Sequence, residues 1–203
     1  MEPRSLQTIG TILVLAGVCA SLAATFTKDW SHHIPRGDGG EMDTRSGFKN
    51  GLWSVCRWDG VKVKCKAFTT TSEREEFFQT VRGLVLVAMI LVLLSLFMAG
   101  LAQECAHIGD YSARTKARLG LAAGSVSTLA GVCETVAASF YVYHVVGQSL
   151  HPLAHLNIRL SLGTAVYFAF FAGVVEVLGG LLLVAAFVKR KTTEKRYSQV
   201  LEM

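Results

Sequence analysis

Four stretches of about twenty residues or more run with almost no charge, and nothing else in the chain restricts its fold as tightly. A helix needs roughly 20 apolar residues to cross the hydrocarbon core of a bilayer. The stretches cover residues 7–26, 81–102, 119–146 and 160–188, with Arg82 a charge at the edge of the second. The first reads as a retained span, because its apolar part is long for a leader and no cleavage site follows it. At about 1.5 Å per residue the third is roughly 42 Å long, so its end should stand proud of the membrane. Only 17% of the 203 residues are charged, against about a quarter in soluble domains, which points to lipid as the solvent for much of the chain. Small residues recur along the spans (Gly10, Gly17 and Ala20; Gly173, Gly179 and Gly180), letting helix backbones come close. A four-helix bundle follows.

Orientation comes from the flanks. Arg114, Lys116 and Arg118 fill the connection 103–118, and Lys189, Arg190, Lys191, Lys195 and Arg196 follow the last span. Short basic segments stay in the cytoplasm. Residues 1–6, 103–118 and 189–203 are therefore expected inside, with the loops 27–80 and 147–159 outside. The pair Cys56 and Cys65 in the long loop suits an oxidising compartment. The net charge of +5 calls for no nucleic acid, because the basic residues border apolar spans rather than forming one patch.

Within the long loop, Glu41 to Lys49 is polar and turn-rich. Gly51 to Cys56 then meets Val61 to Lys66 across Trp58-Asp59-Gly60-Val61. A type II′ turn centred on Gly60 and Val61 sets Cys56 opposite Cys65, a cross-strand staple. A turn centred on Asp59 and Gly60 shifts the register by two and makes the bridge diagonal, so the turn type stays open. Lys62, Lys64 and Lys66 alternate with Val61, Val63 and Cys65, which sends three ammonium groups to one face and the valines inward. That face reads either as solvated or as the lining of a charged passage, with Asp59 as a partial offset. Ser72 to Gln79 reads as a short helix with Ser72 as its cap and Glu75 three residues on.

Two acids interrupt the spans, Glu134 in the third and Glu176 in the fourth. An ionised carboxylate there costs several kcal/mol. The two are expected either neutral and hydrogen-bonded between helices, or as a docking point for a partner helix carrying Lys or Arg. Cys19 and Cys133 read as small core residues. Cys105, at the inner end of the second span, is a palmitoylation candidate or a silent thiol. The histidines form no His-Glu-x-x-His pattern, and neither Gly-x-Ser-x-Gly nor a phosphate loop occurs, so no enzyme, cofactor or metal is expected.

Trp30, then Gly51-Leu52-Trp53, Cys56 and Cys65 resembles the signature of the claudins. The likeness continues in Phe78-Gln79-Thr80-Val81-Arg82, Leu129-Ala130-Gly131, Ser139-Phe140-Tyr141, Leu162-Gly163-Thr164-Ala165-Val166-Tyr167 and Gly179-Gly180, with spacings kept over residues 5–188. It implies a membrane α+β fold, a left-handed four-transmembrane-helix bundle topped by a small antiparallel sheet, with Arg82, Trp30 and Trp53 closing the outer end. It also implies a tight-junction protein of the plasma membrane that associates with itself and other claudins in cis and trans. In claudins the position just after the second cysteine, here Lys66, helps set the ion preference of the paracellular path. The function expected is a barrier or an anion-favouring permeability, and the alternative is an auxiliary subunit of a channel or adhesion complex. Thr71 and Ser149 stand where claudins carry apolar assembly contacts, Pro152 matches the proline of the second loop, and the tail Leu201-x-Met203 is a weak match to ligands of PDZ scaffolds.

Overall fold

A computed structural model of the chain describes residues 3–35, 46–67, 74–103, 113–150 and 158–201. Helices α1 (Pro3–Phe26), α2 (Arg74–Ala102), α3 (Ala113–Leu150) and α4 (Thr164–Leu201) make the bundle. Each is long and apolar enough to cross a membrane. The strands are β1 (Ser31–Pro35), β2 (Ser46–Asn50), β3 (Ser54–Asp59), β4 (Lys62–Ala67) and β5 (Ile158–Leu162). They form one antiparallel sheet in the order β4-β3-β2-β1-β5. Because the strands all fall between α1 and α2 or between α3 and α4, the sheet lies at a single end of the bundle.

Helix α4 packs against α1 and α3, and α2 lies against α3. The α3–α4 seam is closed by two glycine pairs seven residues apart, Gly124 with Gly180 and Gly131 with Gly173. A Cβ on Gly131 would fall 2.5 Å from the Gly173 carbonyl oxygen, and one on Gly180 2.6 Å from that of Gly124. Two turns of helix separate the pairs, so both lie on one stripe. At the sheet end the core is aromatic, with Trp30, Phe78 and Tyr141 buried together with Leu52.

Several boundaries differ from the sequence reading. The fourth span was expected from Leu160, but Ile158–Leu162 is a strand, and Arg159 and Ser161 alternating with Ile158, Leu160 and Leu162 give it the period of two. Gly163 then meets the backbone of Asp29 so closely that a Cβ would lie 2.0 Å from the Asp29 oxygen. Helix α4 therefore opens at Thr164, whose amide and hydroxyl both donate to Asp29 Oδ2. A carboxylate suits the positive end of a helix.

The short helix expected over residues 72–79 is not separate from Arg74 onward; it is the start of α2, with Phe77 stacked on Phe140 and His144 of α3. Nothing in Gln79-Thr80-Val81 breaks that run. Likewise α3 begins at Ala113 and continues to Leu150, so Lys116 and Arg118 belong to its first turns rather than to the loop 103–118. The segment expected as a strand from Gly51 becomes one only at Ser54, because Gly51 passes against the backbone of Lys28 and Leu52 turns into the core.

Candidate functional site

The sheet is mounted on the bundle by the residues of the sequence signature. Trp30 is buried, donates from Nε1 to the Ala24 carbonyl at 2.9 Å and meets Tyr141 edge-on, with ring centres 5.0 Å apart. Trp53 donates to the Thr25 carbonyl at 3.0 Å. Arg82 Nε donates to the Leu52 carbonyl at 2.7 Å, and its guanidinium lies 5.6 Å from the Trp53 ring centre and 5.9 Å from that of Phe78. The five residues Trp30, Gly51, Leu52, Trp53 and Arg82 thus meet at the junction of helices and sheet. Each tryptophan N–H closes on a carbonyl of the last turn of α1, which a chain leaving its helix would leave unpaired, and Arg82 Nε closes on the Leu52 carbonyl between β2 and β3.

On this mount stands the β3–β4 hairpin. Cys56 pairs with Cys65 in register and the two are disulfide-bonded. Gly60 has φ +60° and Val61 does not enter the positive-φ region, the signature of a type II′ turn. Of the two registers open in the sequence, the in-register staple is the one adopted.

Strand alternation from that pairing assigns every side chain to a face. Lys62, Lys64 and Lys66 lie on one face with their direct partners Asp59, Arg57 and Val55. Arg57 therefore stands opposite Lys64, and its guanidinium sits 5.2 Å from the ring centre of Phe48 on the next strand. Asp59 faces Lys62 directly, so the offset concentrates at the turn and leaves Lys64, Lys66 and Arg57 as an excess of three positive charges. The opposite face carries the disulfide, Val63, Trp58 and Lys49, whose ammonium lies 5.9 Å from the Trp58 ring centre.

Two expectations fail here. The valines do not pack inward: Val61 is fully exposed and Val63 largely so. Strand β4 is the edge of the sheet, and no described element covers it. Cys19 is exposed on α1 and Cys133 half-buried, so neither is a core thiol.

Other predicted sites separate from this face. Glu134 and Glu176 are wholly buried inside the bundle, which turns them away from any partner helix; the Glu134 carboxyl lies beside the Ser21 hydroxyl of α1, and the Glu176 carbonyl accepts from Ser127 Oγ at 3.0 Å. Thr71, Cys105, Pro152 and Met203 lie outside the described residues, and Ser149 falls in the last turn of α3 with its side chain outside them. No group of three or more His, Cys, Asp or Glu side chains placed to hold a metal occurs among the described residues. Sequence reasoning missed Arg57, although the signal was present: with Cys56 opposite Cys65, the next residue must share a face with Lys64.

Comparison with known proteins decides the family. The model of the PMP-22/EMP/MP20/Claudin family matches residues 4–183. The chain belongs to this family. It is 28% identical to claudin-19 of Homo sapiens over 184 residues, which is 90% of the chain and 81% of the relative. It is 27% identical to claudin-7 of Homo sapiens, covering 90% of the chain and 86% of the relative. Claudin-1 of Mus musculus is 26% identical over 194 residues, 95% of the chain and 90% of the relative. With four membrane-spanning helices and the Cys56–Cys65 bridge, the chain is a claudin-like multi-pass protein of the plasma membrane at the tight junction.

Proposed function

We propose that the protein associates with claudins to form a paracellular path that favours anions over cations, with the sheet on the outer side of the membrane. The observation that carries this reading is the gathering of Lys64, Lys66 and Arg57 on one face of the sheet, beside a Lys62 already opposed by Asp59. Lysine-lined narrow aqueous passages attract anions and repel cations. Expression in a leaky epithelial layer tests it: dilution potentials should shift towards chloride relative to sodium. Freeze-fracture of fibroblasts expressing the chain should show continuous intramembrane strands. Without strands, and with unchanged potentials, the protein acts instead as an auxiliary subunit of another complex. Because Thr71 and Ser149 stand where the resemblance places apolar contacts, strands made by this chain alone should be short and lengthen when another claudin is co-expressed.

A further inference from the structure

The α3–α4 seam gathers cations at the end away from the sheet. Gly124 of α3 faces Gly180 and Val184 of α4, and Gly120 faces the Phe187 ring, so the two helices run antiparallel in a steady register. About one turn before Gly120 on α3 stands Lys116, and about one turn beyond Phe187 on α4 stands Arg190. Both are half-buried, while their neighbours Arg118 and Lys189 are exposed. The apolar spans end at these residues, one starting at Thr115 and the other closing at Arg190, so the four cations lie at the depth of lipid headgroups. Around them, the stretch 113–119 holds three basic residues and 189–201 holds five, against the single acid Glu194.

Orienting a chain in the membrane needs basic residues only on the flanks of its spans, where they can stand apart in water. Here two segments distant in sequence bring theirs to one seam, where like charges repel. Salt relieves that repulsion at the exposed Arg118 and Lys189, and less so at the half-buried Lys116 and Arg190. A polyanion held at the seam relieves it directly. A headgroup with one net negative charge, such as phosphatidylserine, answers one cation. An inositol ring bearing phosphate monoesters carries several charges within the width of one ring and reaches both helices at once. Arginine forks match phosphate oxygens bidentately, and lysines supply point charges beside them. Basic pockets between spanning helices on the cytoplasmic side suit such headgroups.

We propose that the inner end of the α3–α4 seam binds the polyphosphorylated headgroup of a phosphoinositide in the cytoplasmic leaflet, with Lys116 and Arg190 at its centre and Arg118 and Lys189 beside them. The site takes from the function above only the outward position of the sheet, and its test does not depend on ion preference. Purified full chain in mild detergent is titrated against fluorescent short-chain phosphatidylinositol bisphosphate and followed by anisotropy. Binding should saturate, and K116Q/R190Q should weaken it roughly 25-fold, at about fivefold for each cation lost. R118Q/K189Q, which changes only exposed side chains, should weaken it in the same direction and decides the matter if the first pair does not purify. K28Q/K49Q removes two charges at the sheet end and should leave the midpoint unmoved. Unlabelled phosphatidylserine and free inositol trisphosphate should each compete far more weakly than unlabelled phosphatidylinositol bisphosphate. An absence of saturable binding, an equal loss in K28Q/K49Q, or wild-type binding by either seam variant overturns the proposal. Equal competition by phosphatidylserine makes the seam a plain contact with an anionic surface, and equal competition by inositol trisphosphate makes the ligand a soluble one; either result overturns it.

Discussion

Reversing one charge on the cationic face should change ion preference by an amount the geometry sets. An ion passing about 6 Å from the Lys66 ammonium in water feels roughly 0.7 kcal/mol, and screening over a Debye length of about 8 Å reduces this to about 0.33 kcal/mol. Lys66→Asp reverses the sign and so shifts each ion by about 0.65 kcal/mol, a factor of about three at 25 °C. Sodium gains and chloride loses, so the chloride-to-sodium permeability ratio should fall roughly ninefold at the constriction. The control is Lys49→Asp, the same change of charge on the opposite face, since Lys49 pairs with Cys56. About 16 Å away, the same reversal shifts each ion by only about 0.07 kcal/mol after screening. Dilution potentials across monolayers expressing each variant, with junctional staining to confirm delivery, measure both. Equal shifts from Lys66→Asp and Lys49→Asp would refute the face assignment. No shift from either, with both at the junction, would remove the sheet from the path altogether.

Replacing Cys56 and Cys65 together with serine reopens a loop closed across a sequence separation of 9, worth about 2.7 kcal/mol in the chain-entropy model. Retention inside the cell or loss of adhesion should follow, and wild-type surface biotinylation with wild-type junctional resistance would show the bridge to be dispensable. Gly131→Ala drives a Cβ against the Gly173 carbonyl and should lower stability in detergent by about 1–3 kcal/mol, whereas Gly100→Ala meets open space and should be neutral or gain up to about 1 kcal/mol. Thermal melts of the pair test the α3–α4 seam directly. Arg82→Lys removes the Nε bond to Leu52 and the planar contact with Trp53, so it should cost about 1–3 kcal/mol; a melt equal to wild type would mean that the charge alone is what matters there.

The bundle was legible because absence of charge is a long-range signal, and twenty residues of it admit few readings. The sheet was only half legible. Strand β1, Ser31-His32-His33-Ile34-Pro35, has no clean alternation, and its pairing with β2 and β5 comes from partners distant in sequence. Strand β5 does alternate, but Leu160 and Leu162 continue the apolar run of α4 and hide it, and Gly163 was the break to notice. Arg57 was recoverable from the register alone. The exposure of Val61 and Val63 was not, since alternation names a face without saying whether anything lies over it. The packing of Glu134 and Glu176 was not legible either, because it depends on Ser21 and Gly17 arriving from a third helix.

Strand β5 also changes what the second loop means. Because β5 pairs with β1, residues from both loops belong to one ladder that ends at the cationic strand β4. Asp29 fastens that ladder to the bundle: its carbonyl accepts from Ala165 N at 3.0 Å, its carboxylate from Thr164, and His32 Nε2 lies 2.6 Å from Oδ1. Beside it, Gly163 N donates to the Trp30 carbonyl at 2.9 Å. Helix α4, which packs on α1 and α3, therefore opens on the same few atoms that start β1. Tilting the sheet against the bundle would break these bonds where Gly163 leaves no room for rearrangement. The positions of Lys64, Lys66 and Arg57 relative to the membrane are thus set by the helix packing as well as by the hairpin. A selective face needs that rigidity, since a screened charge loses most of its influence within one Debye length of the ion it selects.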